Sequence, residues 1–187
     1  MRIITGKYKG RHFDIPRSFK ARPTTDFAKE NIFNVLNGYI DFEDATALDL
    51  FAGTGSISLE LLSRGCQQVV SVEKDRDHHR FIQQCVDKLK GERNSPSSIF
   101  NIQCIRGDVF RFVKSCRMQF DFIFADPPYA LEQLPMIPDL IFEKGLLKEG
   151  GIFVFEHGKQ NDFSTHPHFV EHRSYGSVNF SIFRRPA

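Results

Sequence analysis

Residues 46–64 read TALDLFAGTGSISLELLSR, and this stretch decides the fold. Its opening part, Ala47–Phe51, is short and mostly apolar, which is typical of a strand buried on both faces of a parallel sheet. Gly53 and Gly55 then permit a tight turn, and a helical apolar pattern begins at Ser56. A strand, a glycine turn and a helix in this order predict a ligand site, because the backbone of the turn can approach a bound molecule closely.

The alternation of strand and helix continues along the chain to residue 156. The predicted strands are Ala47–Phe51, Gln68–Glu73, Ile102–Arg106, Phe120–Ala125 and Gly151–Glu156, and the predicted helices are Ser56–Arg64, Arg76–Leu89, Val109–Ser115 and Leu134–Glu143. This order predicts an α/β fold with a mostly parallel sheet and right-handed crossovers. The C-terminal segments His168–Arg173 and Val178–Phe183 flank a Ser-Tyr-Gly-Ser turn, so an antiparallel hairpin is predicted to follow.

The N-terminal part has a different pattern. Arg2–Thr5 and Arg11–Ile15, separated by Gly6 and Gly10, predict a small β-hairpin, and residues 16–23 form an irregular basic connector. A helix follows, with Thr25 or Asp26 as its predicted N-cap. We therefore expect one domain over residues 1–187, in which residues 1–24 are the hairpin and connector and residues 25–187 are the helix and core.

Composition excludes several classes of protein. With 41% hydrophobic and 26% charged residues the chain is an ordinary globular one, which argues against disorder. It has no apolar run long enough for a transmembrane helix, and its first residues lack the apolar region of a signal peptide. The four cysteines lack CxxC spacing, so we expect reduced thiols and no metal site in a cytoplasmic protein.

The net charge of +2 conceals an uneven distribution. Residues 1–29 carry a net charge of +6, and the rest of the chain carries −4. A basic N-terminal segment on an acidic body is consistent with a nucleic-acid partner, although a solvated surface segment gives the same pattern.

Three acidic side chains stand at or beside predicted strand ends: Asp49 in the first strand, Glu73 at the end of the second and Asp108 after the third. Ligands of open parallel sheets bind outside the carboxyl ends of the strands, and Glu73 is about 20 positions after Gly53, where a carboxylate can receive ribose hydroxyls. Three carboxylates suit a cationic adenosine ligand and would repel the pyrophosphate of NAD. Ser58 also replaces the third glycine of the dinucleotide motif.

The fourth strand ends in Asp126-Pro127-Pro128-Tyr129. Two consecutive prolines cannot continue a sheet ladder, so they predict a rigid, extended corner. This corner would hold the Asp126 carboxylate, the Pro127 carbonyl and the Tyr129 ring close together. Such a set suits a planar base with an exocyclic amine, because the two oxygens accept the amine hydrogens while the ring stacks on the base.

These motifs, from Asp49–Gly55 through Glu73 and Asp108 to Asp126–Tyr129, resemble those of class I S-adenosylmethionine-dependent methyltransferases. The strings Arg22-Pro-Thr-Thr-Asp26 and Arg2-Ile-Ile-Thr-Gly6 sharpen the match, since they are similar to those of bacterial 16S rRNA (guanine-N2) methyltransferases of the RsmD type. The resemblance covers essentially the whole chain. One departure is Phe27, where that family usually has a basic residue.

The resemblance implies a Rossmann-like, mostly parallel seven-stranded sheet with an antiparallel C-terminal hairpin. It implies S-adenosyl-L-methionine as cofactor, 16S rRNA or the small ribosomal subunit as partner, and a monomer without a metal or a membrane anchor. The implied cofactor-binding residues are Asp49, Phe51, Gly53, Thr54, Gly55, Glu73, Lys74, Asp108, Val109 and Asp126. The implied catalytic residues are Asp126, Pro127, Pro128 and Tyr129, and the expected RNA contacts are Arg2, Lys7, Lys9, Arg11, Arg22, Thr24 and Thr25.

Two other functions remain open from the sequence. One is methylation of DNA adenine or of a protein glutamine, since such enzymes use a related proline-proline-aromatic corner. The other is a non-catalytic RNA-binding or assembly factor with the same fold. The basic segment and the Arg-Pro-Thr-Thr string favour RNA as substrate.

Overall fold

The computed structural model describes residues 1–20, 23–92 and 101–187. Arg22 and residues 93–98, the greater part of a loop predicted over residues 91–98, lie outside the described residues. Within the described ranges the helices are α1 (Asp26–Leu36), α2 (Ser56–Ser63), α3 (Arg76–Lys90), α4 (Val109–Ser115) and α5 (Ile137–Glu143). The strands are β1 (Thr46–Leu50), β2 (Gln68–Glu73), β3 (Ile102–Arg106), β4 (Phe120–Ala125), β5 (Leu147–His157), β6 (Phe169–Tyr175) and β7 (Val178–Arg184).

Apart from the N-terminal hairpin, two predicted elements differ from the observed ones by more than two residues, for local reasons. The helix predicted over Leu134–Glu143 is divided into a 3-10 turn, Leu134–Met136, and α5. Pro138 explains the division, because proline lacks an N–H group and fits only the first turn of an α-helix. The strand predicted from Gly151 begins at Leu147, since β5 also pairs with Phe120 before a register shift. No helix in the described ranges is long and apolar enough to cross a bilayer.

The seven strands form one sheet in the order β3-β2-β1-β4-β5-β7-β6. Neighbouring strands from β3 to β5 pair in parallel, and β7 pairs antiparallel with both β5 and β6. The predicted fold class is therefore confirmed. The chain moves outward from β1 to β3 and then returns to place β4 on the other side of β1. This reversal opens a crevice at the carboxyl ends of β1 and β4, which is where ligands bind in open α/β sheets.

Both faces of the sheet are covered by apolar packing. The N-terminal segment and α1, α2 and α3 contribute to one buried cluster, and α4 and α5 contribute to the other. Along β5 the side chains alternate between the clusters, with Ile152 and Val154 in the first and Phe153 and Phe155 in the second. This two-sided burial explains why the central strands are almost wholly apolar in sequence.

The N-terminal hairpin is much shorter than the sequence predicts. A single antiparallel bridge joins Arg2 to His12, and no strand forms over residues 2–5 or 11–15. Backbone hydrogen bonds from Ile3 to Arg11 and from Phe13 to Met1, both 2.9 Å, flank this bridge. Beyond it the N–H groups of Ile4 and Thr5 donate to the Glu60 carboxylate of α2 at 2.8 and 3.1 Å. Gly6 lies so close to Ser63 that a Cβ atom there would be 1.9 Å from the Ser63 carbonyl oxygen. The segment is thus a very short hairpin whose remaining backbone groups bond to a helix.

A buried ion pair holds this segment in place. Lys29 of α1 and Glu60 of α2 are both fully buried, with 3.5 Å between the Lys29 Nζ and Glu60 Oε1 atoms. The ammonium also donates to the Arg2 carbonyl at 2.6 Å and to the Ser56 hydroxyl at 3.0 Å. Burial lowers the pKa of Lys29, and the Glu60 carboxylate opposes that effect. The cluster therefore connects the N-terminal segment, α1 and the first turn of α2.

We expect Lys29→Met to lower the free energy of unfolding by about 3 kcal/mol, because it removes one of the two cations beside the buried Glu60 carboxylate and leaves the Arg2 carbonyl and the Ser56 hydroxyl without this donor. Urea titration followed by circular dichroism measures the loss. Lys144→Met is the control, since Lys144 is exposed, and it should change stability little. Equal effects of the two substitutions would contradict a stabilising role for the pair.

Candidate active site

A cleft of about 1010 Å³ opens at the carboxyl ends of β1, β2 and β4. The loops after these strands, the first turn of α4 and part of the connector before α1 form its walls. The lining residues are Lys20, Pro23, Thr24, Asp49, Phe51, Ala52, Gly53, Thr54, Ser56, Ile57, Glu73, Lys74, Asp75, Arg76, His78, Asp108, Val109, Phe110, Phe124, Asp126, Pro127, Pro128, Tyr129, Leu131 and Glu156. The cleft thus lies at the reversal point of the sheet and contains both motifs found in the sequence.

The turn after β1 has an unusual backbone. Phe51, Gly53 and Gly55 all have positive φ values, of 57°, 57° and 80°. A bulky residue such as Phe51 rarely adopts this conformation, so the surrounding structure must hold it there. Gly55 is the N-cap of α2, and a Cβ atom on it would come within 2.9 Å of Ile82 in α3. Glycine at position 55 therefore allows the turn to close against α3, although Gly55 itself does not line the cleft.

Two carboxylates fix this turn. The Asp49 Oδ2 atom accepts hydrogen bonds from the Ser58 backbone N–H at 3.1 Å and from the Ser58 hydroxyl at 2.7 Å. Glu73 Oε1 accepts from the Gly53 N–H at 3.2 Å, so the end of β2 supports the glycine loop. Burial raises the pKa of Glu73, and it raises that of Asp49 from 3.8 to about 7. Acidic groups are therefore concentrated where little water screens them, an arrangement that favours a cationic ligand.

The opposite wall combines an acidic and an apolar part. Asp108 is the N-cap of α4, and its side chain accepts from the Arg111 N–H at 3.0 Å. The next residues, Val109 and Phe110, also line the cleft, and the Phe110 ring packs edge-on against Phe51 at 6.3 Å. An apolar slot with a carboxylate at its end suits a flat heterocycle that carries an amine.

Two buried polar atoms in the cleft have no hydrogen-bond partner among the described residues. They are the Thr54 hydroxyl oxygen and the His78 Nε2 atom. Thr54 is only 2% exposed, so leaving its hydroxyl unpaired is unfavourable. Both residues line the cleft, so a polar molecule bound there would offer these atoms a partner.

After β4 the chain leaves the sheet at Asp126, and all four residues from Asp126 to Tyr129 line the cleft. Asp126 is half-buried, while Tyr129 is 41% exposed. The Tyr129 hydroxyl donates to Glu156 Oε2 at 3.0 Å, and the Thr24 hydroxyl donates to Glu156 Oε1 at 2.7 Å. Burial, and then the neighbouring Glu156 carboxylate, raise the pKa of Asp126 well above its usual range. Burial is also the main cause of the raised pKa of Tyr129.

Most of the predicted site residues meet in the cleft. All ten predicted cofactor contacts except Gly55 line it, as do Pro127, Pro128, Tyr129 and Thr24. Thr25 lies outside, where its side chain caps α1 by accepting from the Ala28 N–H at 3.2 Å.

Four of the predicted RNA contacts, Arg2, Lys7, Lys9 and Arg11, do not line the cleft. The Lys7 N–H donates to the Ser63 carbonyl, at the end of α2 that is about 11 Å from its cleft-side start. Arg11 forms two hydrogen bonds with Glu92 beyond the end of α3, at 2.6 and 2.7 Å. Arg2 lies 3.6 Å from Asp26. The predicted RNA contacts Lys7, Lys9 and Arg11 thus belong to a separate patch, whose position follows from the anchoring of the N-terminal segment on α2.

Sequence reasoning missed several lining residues. Five of them lie within four positions of a motif residue, so nearness to the strand ends was a usable signal: Ser56, Asp75, Arg76, His78 and Phe110. Lys20 and Pro23 come from the connector, and their place depends on tertiary packing. Glu156 is the main omission. It stands at the end of an apolar strand in the order Phe-Val-Phe-Glu-His, which carries no motif. Among the described residues no group of three or more His, Cys, Asp or Glu side chains could hold a metal ion.

Comparison with known proteins gives a consistent assignment. The family described as conserved hypothetical protein 95 matches residues 1–184. The chain belongs to this family. Its relatives include the "Putative rRNA methyltransferase YlbH" of Bacillus subtilis, 32% identical, with 99% of each chain covered. The Escherichia coli "Ribosomal RNA small subunit methyltransferase D" is 30% identical, with 100% of this chain and 91% of the relative covered.

A solved structure supports the same relationship. The "Putative methyltransferase yhhF" from Escherichia coli superposes with a TM-score of 0.83 at 26% identity, and the match covers 100% of this chain and 98% of that one. The family resemblance stated from the motifs is therefore confirmed, and the fold is that of a Rossmann-like methyltransferase.

The acidic cleft predicts a pH dependence of stability. The raised pKa of Asp49 means that the folded protein holds this proton up to about pH 7, while the unfolded chain releases it near pH 4. The free energy of unfolding should therefore fall as the pH rises from 5 to 8. Asp49→Asn should remove about 2 kcal/mol of that fall.

Thermal unfolding of the ligand-free protein at pH 5 and pH 8 measures this effect. Asp14→Asn is the control, because that side chain is 99% exposed, and it should leave the pH dependence unchanged. A wild-type slope that survives in Asp49→Asn would show that Asp49 is ionised in the folded protein.

Proposed function

We propose that this protein methylates the exocyclic N2 amine of a guanine in 16S rRNA, with S-adenosyl-L-methionine as methyl donor. One observation carries the proposal: the Asp126–Tyr129 corner opens into the same cleft as the acidic glycine turn. A site for a cationic adenosine ligand and a set of amine acceptors therefore share one chamber, as direct transfer between two bound molecules requires.

The cleft residues fit this cofactor. Asp49 and the Phe51–Gly55 turn would hold its methionine part, Glu73 the ribose hydroxyls, and Asp108 with Val109 the adenine. The unpaired Thr54 hydroxyl and the concentrated carboxylates match a polar, positively charged ligand. When bound, S-adenosylmethionine supplies an electrophilic methyl group on a sulfonium. Lys74 lies on the rim of the same chamber.

The corner residues would prepare the amine. Guanine N2 is a weak nucleophile because its lone pair is delocalised into the ring. The Asp126 carboxylate and the Pro127 carbonyl would accept its N–H bonds and favour a pyramidal nitrogen, while Tyr129 stacks on the base. Pro127 and Pro128 keep these groups in fixed positions, because neither can adopt a helical continuation. Water can take the proton that leaves the methylated amine.

The names of the relatives support RNA as the substrate, since the Escherichia coli protein is named for the small ribosomal subunit. A base inside a helix cannot reach the cleft, so a loop nucleotide or a flipped base is expected. We propose that the protein acts as a monomeric single domain in the cytoplasm, on 16S rRNA or the assembled subunit, without a metal.

Asp126→Asn should lower kcat by about 100-fold, because it keeps the shape but replaces a charged acceptor with a neutral amide oxygen, which accepts a weaker hydrogen bond. Affinity for S-adenosylhomocysteine, measured by calorimetry, should stay within the wild-type range. Transfer of a tritiated methyl group to undermethylated small subunits, with nucleoside analysis by mass spectrometry, measures the reaction and should yield N2-methylguanosine.

Glu132→Gln is the matched control, since Glu132 is exposed in the loop that follows the corner. Full activity of Asp126→Asn would exclude Asp126 from the mechanism. Labelling of duplex DNA or of a protein glutamine in place of rRNA would favour the alternative substrates.

The predicted RNA contacts require substitutions rather than a deletion. Removal of residues 2–20 would expose the core, because Ile3, Tyr8 and Phe13 are buried there. We expect Lys20→Ala at the cleft rim and the double variant Lys7→Ala/Lys9→Ala to weaken RNA binding. The slope of log affinity against log salt should decrease by about 0.7 for each phosphate group that the protein no longer neutralises.

Filter binding of a 16S rRNA fragment at several salt concentrations measures both effects. Lys144→Ala, just beyond the end of α5, serves as the exposed control. A normal slope in the double variant, with a reduced slope in Lys20→Ala, would assign Lys7 and Lys9 to an ordinary solvated surface.

A further inference from the structure

Glu156 lies beside the catalytic corner but belongs to none of the motifs. Strands β4 and β5 pair in parallel with Ala125 opposite Phe155, so Asp126 and Glu156 are the next positions of the same register. Side chains at paired positions of neighbouring strands point to the same face. Glu156 is only 5% exposed and lines the cleft. Two carboxyl groups are thus held side by side at the place where the substrate amine would enter.

The contacts of Glu156 connect three separate parts of the chain. It accepts hydrogen bonds from Thr24 of the connector and from Tyr129 of the corner. The strand register places it beside the Asp126 carboxyl group, and both side chains line the cleft. Two neighbouring carboxyl groups with little water around them resist simultaneous ionisation, so such a pair favours holding one proton between them.

We propose that Glu156 is a positioning residue: it orients Asp126 and Tyr129 and shares with Asp126 a proton that must leave before Asp126 accepts the substrate amine. The proposal rests on the proposed function. The step balances simply, since the shared proton passes to water and both carboxylates remain. The Asp126 carboxylate is then free to accept an N–H bond of the base.

The charged groups around Asp126 support this order of events. Asp126 faces Glu156 from β5 and Asp49 from β1, and all three are acidic. A second negative charge at such short range keeps the first group protonated, because like charges in a desolvated site cannot both ionise easily. The Tyr129 hydroxyl donates to Glu156 rather than to Asp126. Removal of the Glu156 charge should therefore let Asp126 ionise at lower pH.

The test is the pH profile of kcat/KM for methyl transfer at saturating cofactor. In the wild-type protein activity should fall as the pH decreases through the raised pKa of Asp126. Glu156→Gln should move this acidic limb to lower pH by about 1 unit or more. Thr24→Val and Tyr129→Phe each remove one donor to Glu156 without changing its charge. They should lower the rate at every pH and move the limb less than Glu156→Gln does, because the Glu156 carboxyl group is still present.

A second measurement separates this proposal from the proposed function. Carbon-13 NMR of the aspartate carboxyl groups, with Asp126 assigned by Asp126→Asn, follows its titration without any substrate. Asp126 should titrate well above pH 4 in the wild-type protein and at lower pH in Glu156→Gln. A wild-type titration near pH 4, or an unmoved limb in a folded Glu156→Gln, overturns the pairing. Absence of methyl transfer by the wild-type protein with a shifted titration would overturn only the RNA-methylating function.

Discussion

The buried ion pair between Lys29 of α1 and Glu60 of α2 determines how the N-terminal segment packs on the core. Glu60 accepts the backbone N–H groups of Ile4 and Thr5, and Arg64 donates to it at 2.9 Å. Lys29 bonds to the Arg2 carbonyl and to Ser56, which lines the cleft. Ion pairs of this kind contribute little net stability compared with apolar packing, but they tolerate no loss of one partner. The pair therefore acts mainly by fixing where the N-terminal segment lies.

The acidic cleft, like the buried ion pair, places charged groups where their burial opposes folding. Asp49, Glu73, Asp126 and Glu156 are gathered at one edge of the sheet, and burial raises the pKa of the first three. A protein selected for stability alone would not place them together, because each opposes the ionisation of the next. Buried groups of like charge are typical of functional sites, where a lower stability of the ligand-free protein accompanies the ability to bind a ligand.

The parts of the site that depend only on neighbouring residues in the chain can be predicted from the sequence. Glu73 at the end of β2 and Asp126 before two prolines are recognisable because strand ends and proline pairs have direct structural meaning. Lys29 is different, since its charge counts toward the basic N-terminal segment while its side chain is fully buried. Glu156 carries no local signal at all, because its role depends on the register of β4 with β5. The short length of the N-terminal hairpin also depends on tertiary packing. Helix α2 accepts hydrogen bonds from backbone N–H groups that a longer hairpin would have paired with each other.

The hydrogen bond between Thr24 and Glu156 joins residues 132 positions apart. A contact of such long range has a large loop-closure entropy, because it joins distant parts of the chain. During synthesis the glycine turn and Asp126 leave the ribosome well before Glu156 does. A nascent chain that ends before β5 can build the first half of the sheet, yet it lacks the partner that orients Asp126 and Tyr129. The Asp126–Tyr129 corner therefore gains its contact with Glu156 only after most of the chain has been made.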